Sequence, residues 1–365
     1  MTKNLFNSIL LTTPDLNDQG GVSGFYNALF AYLPKISVLE IGGTKGQSRL
    51  LHPVYDQLNF RKTIIQQNPS LVHLNPSLGF KCFIRDGLFA WQAKQRGVPV
   101  IVFWHGWDKD FERKVEERYL WLFKKTFGRA DHFIVLASEF KKKFRDWGVT
   151  ATVSLGTTTV DEKLLNNFSI EKKLNEIKNK PETIKILFLA RLEPAKGVFE
   201  TLEAVRLLLK QGFSLSLTIA GDGKCRSELE MLAASYGLTE LQIKFTGDIR
   251  GEEKIRAFKK HHIYCLPSSY GEGLPNSVLE AMAFGMPVVT RPVGGLKDVF
   301  QDGKMGWLSE SNKPAEIAEC LKKMIENTEK THDISRYNYN YAKEHFMASR
   351  VAERLIAEYN HVLAS

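Results

Sequence analysis

Two basic side chains occupy one short turn and could together hold a diphosphate. The apolar run 184–189 predicts a buried strand, and it continues directly into A-R-L-E-P-A-K-G, where Arg191 and Lys196 lie five residues apart across a proline. Open α/β sheets bind their ligands at the carboxyl ends of their strands. There, the planar fork of an arginine and the point charge of a lysine can hold phosphate oxygens from two sides. Solvation of both side chains at the surface is the alternative interpretation.

Two carboxylates and a helix start form a second group of candidate residues. Glu272 lies in a glycine-bearing loop, and Glu280 lies about one turn inside a predicted helix that Gly285 ends. Asn276 and Ser277 are predicted N-caps, so the helix would aim backbone N–H groups and its positive dipole end at a ligand. Glu280 stands among apolar residues, where a carboxylate needs a partner. The alternative is that both glutamates are solvated.

The same stretch carries a family resemblance. Residues 272–289 read E-G-L-P-N-S-V-L-E-A-M-A-F-G-M-P-V-V, and G-G-L-K-D follows at 294–298. This resembles the paired-glutamate motif of the retaining nucleotide-sugar glycosyltransferases of family 4, the group 1 glycosyltransferases. The resemblance is strong over residues 184–310 and thinner over 1–160. It implies the GT-B fold, an α/β fold in which two Rossmann-like, doubly wound parallel-sheet domains face each other across a cleft.

The resemblance also implies roles for individual residues. Glu280 would hold the ribose hydroxyls and Glu272 the hydroxyls of the transferred sugar. Arg191 and Lys196 would stabilise the diphosphate leaving group without a metal ion. The implied donor-binding residues of the motif are Gly273, Leu274, Asn276, Ser277 and Glu280, and the implied catalytic residues are His105, Arg191, Lys196 and Glu272.

Three further segments match the family. His105 follows the apolar run 98–104, and by resemblance it lies beside the transferred sugar, although a packing or capping histidine is the alternative. Gly20 and Gly21 stand between the first strand and its helix, in the loop that would face the donor diphosphate and the acceptor. In F-T-G-D-I-R, at 245–250, the backbone around Gly247 and Ile249 would contact the nucleotide base.

Apolar runs alternate with helical patterns in two comparable halves, which indicates two doubly wound parallel sheets. A polar segment rich in Lys, Asn and Glu separates the halves. The predicted parts are an acceptor-binding domain (1–165), a linker (166–182), a donor-binding domain (183–335) and C-terminal helices that cross back to the first domain (336–365). The predicted strands are 9–11, 36–41, 71–74, 98–104 and 132–137, then 184–189, 215–220, 243–245, 263–266 and 288–290.

Composition limits the partners. The chain has 365 residues, a formal net charge of +9 and 25% charged residues, which is typical of a globular protein. We expect a cytoplasmic protein, peripheral on the inner face of the membrane, whose basic aromatic region 107–147 contacts an anionic membrane surface. A solvated helix face is the alternative for that region. We expect no nucleic-acid binding, because no such motif is present. We also expect no cofactor or metal, since Asp108 and Asp110 read as a helix start.

The sequence thus predicts a retaining glycosyltransferase that moves a hexose or N-acetylhexosamine from a nucleoside diphosphate sugar, UDP rather than GDP, to a saccharide acceptor. The acceptor is expected to be lipid-linked, in bacterial surface polysaccharide synthesis such as that of O-antigen, capsule or lipopolysaccharide. A nucleotide-sugar epimerase, a sugar phosphorylase and a catalytically silent nucleotide-sugar-binding subunit remain alternatives.

Overall fold

The chain folds into two compact units. The computed structural model describes residues 9–18, 20–42, 52–269 and 273–364, so Glu272 lies outside the described residues. The first unit holds the described residues within Met1–Thr159, Gly271–Leu274 and Ala348–Ser365. The second holds those within Val160–Tyr270 and Pro275–Met347.

A six-stranded parallel sheet forms the centre of the first unit, in the order β2-β1-β3-β5-β7-β8. All five predicted runs of this half are strands, and a sixth strand, β8, was not predicted. A short two-stranded sheet pairs β4 with β6. Strands β1, β3, β5 and β7 are buried at every position, as expected for a parallel sheet covered on both faces. The strands are β1 (Ile9–Thr13), β2 (Ser37–Glu40), β3 (Leu71–Leu74), β4 (Ser77–Leu78), β5 (Val100–Trp104), β6 (Gly106–Trp107), β7 (His132–Val135) and β8 (Thr152–Leu155).

Helices cover both faces of this sheet. Asp108 caps one of them by accepting hydrogen bonds from the N–H groups of Asp110 and Phe111, which confirms that this segment is a helix start. A π-helical turn, Val115–Tyr119, joins the fourth helix to the fifth. The helices are α1 (Gly21–Leu29), α2 (His52–Gln67), α3 (Phe80–Gln95), α4 (Lys109–Lys114), α5 (Leu120–Lys125) and α6 (Ser138–Asp146).

The region 107–147 differs from its sequence-based interpretation, because its aromatic side chains lie mostly in the core. Trp107 stacks on Phe140 with ring centroids 4.2 Å apart, and both are buried. Lys143 is bound to acidic partners, with its Nζ 2.8 Å from Glu116 Oε1. Trp121 is the one large apolar side chain of this segment that is exposed. Burial of large aromatic rings is more favourable than their exposure to water. The segment therefore does not have the exposed aromatic surface that was predicted.

The second unit has its own six-stranded parallel sheet, in the order β11-β10-β9-β12-β13-β14. Strand β9 pairs with β10 on one side and with β12 on the other, so the strand order reverses between β9 and β12. Such a switch point opens a crevice at the carboxyl ends of its strands. The strands are β9 (Ile184–Leu189), β10 (Leu215–Ala220), β11 (Ile243–Gly247), β12 (Ile263–Leu266), β13 (Val288–Thr290) and β14 (Gly306–Leu308).

The polar segment predicted as a linker contains helix α7 (Ile170–Lys178), which belongs to the second unit. Lys173 of this helix is buried, and its Nζ donates hydrogen bonds to the carbonyl oxygens of Phe258 at 2.8 Å and His261 at 2.5 Å. Just before α7, Phe168 packs edge-on against Phe284, with ring centroids 4.9 Å apart. Residues 166–178 are therefore an integral part of the unit.

Helices α7 to α14 all lie in the second unit, whereas the last helix, α15, belongs to the first unit together with α1 to α6. Asn338 of α14 donates hydrogen bonds to the carbonyl oxygens of Met286 and Met305, which fixes that helix to the second unit. Among the described residues, no helix combines the length and apolar character needed to cross a membrane. The helices are α7 (Ile170–Lys178), α8 (Val198–Lys210), α9 (Arg226–Ser235), α10 (Gly251–Lys260), α11 (Asn276–Ala283), α12 (Leu296–Val299), α13 (Pro314–Glu326), α14 (Thr328–His345) and α15 (Ala348–Ala364).

Candidate active site

The turn after β9 places two cations of different character at the carboxyl edge of the second sheet. Lys196 ends a short 3₁₀ turn, Pro194–Lys196, and is only 8% exposed. Burial, together with the neighbouring charge of Arg191, lowers the pKa of Lys196 to about 8. The Arg191 side chain is 70% exposed and donates from Nη1 to Glu193 Oε1 at 3.3 Å. A partly desolvated ammonium beside an exposed guanidinium is an arrangement that an anionic ligand would stabilise.

Glycines allow the neighbouring loops to approach this turn closely. A Cβ atom added to Gly221 would lie 2.0 Å from the carbonyl oxygen of Ala190, and one added to Gly223 would lie 2.5 Å from that of Leu192. Both glycines also have positive φ angles, +133° and +159°, which L-residues rarely adopt. Asp222 orders this turn, since its Oδ1 accepts from the Gly223 N–H at 2.7 Å. The loop after β10 is thereby packed backbone to backbone against the turn that carries Arg191.

The loop after β11 joins the same edge. The N–H of Gly221 donates to the carbonyl oxygen of Gly247 at 2.8 Å, and Gly247 is buried with φ of +72°. Ile249 follows and is half-buried. Both residues predicted to contact the nucleotide base therefore lie at the carboxyl end of the third strand of this half.

Helix α11 begins where predicted, but its cap differs. Pro275 occupies the N-cap position, whereas Asn276 and Ser277 are the first two helical residues, so the N-cap prediction for these two was wrong. The proline fixes the entry of the chain, and no side chain caps the helix. The N–H groups of the first helical turn have no partner within the helix in any case. Because α11 follows β12, these groups lie on the β12 side of the switch point.

The loop after β12 is tied to the turn after β9. Ser269 donates from its N–H to the carbonyl oxygen of Ala195 at 2.8 Å, and the hydroxyl of Ser268 donates to the same oxygen at 3.2 Å. Ala195 directly precedes Lys196. The two loops that flank the switch point are therefore held together by hydrogen bonds, which fixes the backbone on which the lysine stands.

Glu280 is a buried carboxylate, and among the described residues only one of its two oxygens has a hydrogen-bond partner. The residue is 7% exposed, and its Oε1 lies 2.6 Å from Lys254 Nζ of helix α10. Burial raises its pKa, while the charge and hydrogen bond of Lys254 act in the opposite direction. Within the described part of the chain, Oε2 is buried and has no hydrogen-bond partner. A buried acceptor without a donor is costly, and a ligand hydroxyl would satisfy it.

The first unit holds His105 in a defined tautomer. Asn75 follows β3, and its Nδ2 donates to the carbonyl oxygen of Thr12 at 2.8 Å, so its Oδ1 must point the other way as an acceptor. This oxygen lies 2.9 Å from His105 Nε2 and also accepts from the hydroxyl of Tyr26 at 2.6 Å. His105 therefore carries its proton on Nε2, which leaves Nδ1 with a lone pair. Burial lowers the pKa of His105 to about 3, so the ring is neutral.

The remaining predicted residues of the first unit lie at loop positions. Gly20 precedes α1 and Gly21 begins it, and a Cβ atom at Gly21 would meet nothing within 4 Å. Glycine is thus not required there by packing. Gly273, in contrast, is tightly enclosed, since a Cβ atom would lie 2.6 Å from Leu136 Cδ1 and 3.2 Å from the carbonyl oxygen of His105. The neighbouring Leu274 accepts a hydrogen bond from Thr158 Oγ1 at 3.2 Å.

The predicted residues that the structure describes are thus divided between the two units. The sequence analysis missed two residues that position them, Lys254 and Asn75. Asn75 directly follows a predicted strand, a signal that could have found it. Lys254 is one of many lysines in a helix, and nothing in the sequence distinguishes it.

Comparison with known proteins identifies the family. Residues 169–341 match the sequence model described as "Glycosyl transferases group 1", and residues 36–154 match a "Glycosyl transferase 4-like domain". The chain thus carries a group 1 glycosyl transferase domain and a glycosyl transferase 4-like domain. This confirms the resemblance seen in the paired-glutamate motif, which lies inside the first of these matches.

Several curated relatives are similar over part of their length. An uncharacterized glycosyltransferase of Methanocaldococcus jannaschii is 28% identical over 67% of this chain and 65% of its own length. The putative colanic acid biosynthesis glycosyltransferase WcaL of Escherichia coli is 26% identical over 64% of this chain and 58% of its own length. A phosphatidyl-myo-inositol mannosyltransferase of Mycobacterium tuberculosis is 29% identical over 49% and 48%. The matched part of the chain thus spans less than two thirds of each of these relatives.

Solved structures confirm the fold over nearly the whole chain. Anabaena HepE, in complex with UDP and glucose, has a TM-score of 0.73 at 16% identity and covers 97% of this chain and 99% of its own. Sucrose-phosphate synthase of Thermosynechococcus elongatus has a TM-score of 0.75 at 18% identity, with 98% and 99% covered. The predicted GT-B fold, with a parallel sheet in each unit, is therefore correct.

Proposed function

We propose that this protein is a retaining, metal-independent glycosyltransferase that moves a hexose or N-acetylhexosamine from a nucleoside diphosphate sugar to a hydroxyl of a saccharide acceptor. The observation that carries this proposal is the pair of cations after β9, a buried Lys196 beside an exposed Arg191. Their two positive charges suit the negative charge of a diphosphate.

A UDP-sugar is the donor we favour. Anabaena HepE, which has a similar fold, was crystallised with UDP and glucose, and this supports the choice by analogy of fold. For the acceptor, we propose a lipid-linked saccharide in the synthesis of a bacterial surface polysaccharide such as O-antigen, capsule or lipopolysaccharide. The names of the colanic acid and phosphatidyl-myo-inositol relatives favour that class.

In the second unit, Arg191 and Lys196 would stabilise the negative charge that develops on the leaving diphosphate. Such a contribution is electrostatic, and it is larger in a partly desolvated site than in water. The first-turn N–H groups at Asn276 and Ser277 would add to it. The unsatisfied Oε2 of Glu280 would accept a hydrogen bond from a ribose hydroxyl, with Lys254 holding the carboxylate in place.

In the first unit, His105 would accept a hydrogen bond from a hydroxyl of the transferred sugar through Nδ1, the nitrogen that its contact with Asn75 leaves unprotonated. Glu272 is proposed to bind other hydroxyls of that sugar. Because neither role is nucleophilic, we propose attack by the acceptor on the face from which the diphosphate leaves. The bond from the anomeric carbon to the acceptor oxygen forms as that to the phosphate oxygen breaks, and the departing phosphate takes the acceptor proton.

Transfer of labelled sugar from UDP-sugars to solvent-extractable lipid, with bacterial membrane lipid as acceptor, tests the proposal. We expect label in the lipid fraction, formation of UDP, activity in the presence of a chelator, and retention of the anomeric configuration by NMR. Arg191→Ala should raise the barrier by about 2–4 kcal/mol, as loss of other preorganised charge stabilisers does.

Other outcomes would overturn parts of the proposal. Near-normal turnover of Arg191→Ala would refute the leaving-group role. Donor conversion without any acceptor would indicate an epimerase, and a requirement for inorganic phosphate would indicate a phosphorylase. Nucleotide binding without transfer to any acceptor would favour a silent binding subunit.

A further inference from the structure

Helix α2 of the first unit carries an apolar stripe on its outer face. Val54, Leu58 and Ile65 are exposed, Leu58 by 58%, and with Arg61 they follow the spacing i, i+4, i+7, i+11 of one helix face. The opposite face is buried, and its Phe60 stacks on Phe89 of helix α3 with ring centroids 4.3 Å apart. The helix therefore has apolar residues on both sides, and among the described residues of this unit only one side is covered.

Helix α3 continues the same surface. Gln57 Nε2 donates to the carbonyl oxygen of Arg85 at 3.0 Å, and Gln92 Nε2 donates to Gln57 Oε1 at 2.7 Å, so the two helices are joined along this line. On α3, Leu88 and Trp91 are exposed beside it. The outer faces of α2 and α3 thus adjoin, and their exposed apolar side chains are together called the α2–α3 face: Val54, Tyr55, Leu58, Ile65, Phe80, Leu88 and Trp91.

The charge on these two helices has one sign at the surface. Four of their basic residues are exposed, namely Arg61, Lys62, Lys81 and Arg96 at the end of α3. Their only acidic residues, Asp56 and Asp86, are buried and lie 4.0 Å and 3.0 Å from the guanidinium of Arg85. An exposed apolar surface framed by cations, without exposed carboxylates on its own helices, complements an anionic bilayer.

The contrast with region 107–147 is direct. There Lys109, Lys142 and Lys143 have acidic partners, as in the pair Lys142–Asp146 at 3.1 Å, and most of the aromatic rings are buried. Trp121 is exposed by 59% but stands alone among large apolar side chains of that segment. Isolated apolar residues are normal on any surface, whereas contiguous patches indicate contact with a partner.

We propose that the α2–α3 face rests on an anionic lipid bilayer, with its apolar side chains in the interface and its cations at the headgroups. The inference rests on the proposed function, since a lipid-linked acceptor would bring the protein to a membrane. It differs from the sequence-based expectation by assigning the contact to α2 and α3 in place of region 107–147.

Vesicle sedimentation of the full chain tests this assignment. Wild-type protein should pellet with phosphatidylglycerol vesicles and far less with phosphatidylcholine vesicles, and binding should weaken as salt rises to about 0.5 M. The double substitution Leu58→Ser with Trp91→Ser should lower the partition coefficient roughly tenfold or more, because two large apolar side chains no longer enter the interface.

A matched control changes one exposed leucine and one exposed tryptophan elsewhere, Leu241→Ser with Trp121→Ser. It should bind as the wild type does. Equal loss in both double variants, unchanged binding of Leu58→Ser/Trp91→Ser, or no preference of the wild type for anionic vesicles would each overturn the proposal. The wild type could instead fail to bind vesicles and form concentration-dependent dimers that Leu58→Ser/Trp91→Ser abolishes. That result would assign the face to a second copy of the chain.

The outcome is separable from that of the proposed function. All substituted residues lie away from the candidate active site, so thermal stabilisation by UDP should be the same in both double variants and the wild type. Membrane binding without any thermal response to UDP would support the membrane role of the α2–α3 face and refute the donor assignment. A response to UDP without membrane binding would support the donor assignment and refute the membrane role.

Discussion

The lowered pKa of Lys196 makes the affinity for a nucleoside diphosphate depend on pH. The cation binds the ligand only while protonated, and its pKa of about 8 puts the titration within an accessible range. Between pH 7 and pH 9 the protonated fraction of a group with this pKa falls from about 90% to about 10%. If only the protonated form binds well, the dissociation constant for UDP should rise roughly tenfold over this interval. The sign is fixed, since affinity falls as pH rises.

Isothermal titration calorimetry with UDP at several pH values measures this directly. The matched control is Lys196→Arg, because a guanidinium stays charged across the range and any titration of UDP itself affects both proteins equally. Phosphate oxygens are already ionised above pH 7, so their charge contributes little. The wild type should therefore lose affinity relative to Lys196→Arg as pH rises. Parallel curves for the two proteins would refute the placement of Lys196 at the diphosphate.

Three further substitutions test other parts of the structure. Glu280→Gln should weaken UDP binding by about 1–3 kcal/mol and leave pyrophosphate binding unchanged, because only UDP has a ribose; equal effects on both ligands, measured by calorimetry, would contradict the ribose contact. Lys173→Met should lower the free energy of unfolding in urea by about 2–4 kcal/mol, because two carbonyl groups at the end of α10 lose their donor, whereas the exposed neighbour Lys172→Met should have little effect. Asn75→Leu removes the acceptor that orients His105 and should reduce turnover of the sugar donor roughly tenfold at unchanged UDP affinity; a parallel loss of UDP affinity would assign Asn75 a structural role instead.

The strands were predictable because buried parallel strands are continuous apolar runs. Every predicted run became a strand, and the misses follow from the same physics. Strand β8 (Thr152–Leu155) lies at the sheet edge with only Val153 buried, so it has no apolar run to detect. Helix α7 stands in a segment whose polar composition, rich in Lys, Asn and Glu, indicated a linker. The carbonyl oxygens that bind Lys173 lie 85 and 88 residues further along the chain, a separation that local pattern cannot bridge.

The motif of paired glutamates and the basic turn located the second unit's part of the candidate site, since these residues stand at strand ends and switch points. The sequence does not reveal which residues contact these side chains in the folded protein. Nothing local pairs Lys254 with Glu280, and the orientation of the Asn75 amide follows only from its contact with Thr12. The aromatic residues of 107–147 show the same limit, because composition does not decide which side of a helix faces the sheet.

The most direct test of the central claim is UDP binding to the wild type and to the double variant Arg191→Ala with Lys196→Ala, by calorimetry in the presence of a chelator. The structure predicts one UDP bound per wild-type chain and a loss of at least roughly a hundredfold in affinity when both cations are removed. The control variant Lys172→Met, which changes an exposed lysine, should bind UDP with the affinity of the wild type. Failure of the wild type to bind UDP, GDP or ADP, or undiminished binding by the double variant, would contradict a diphosphate site at the turn after β9.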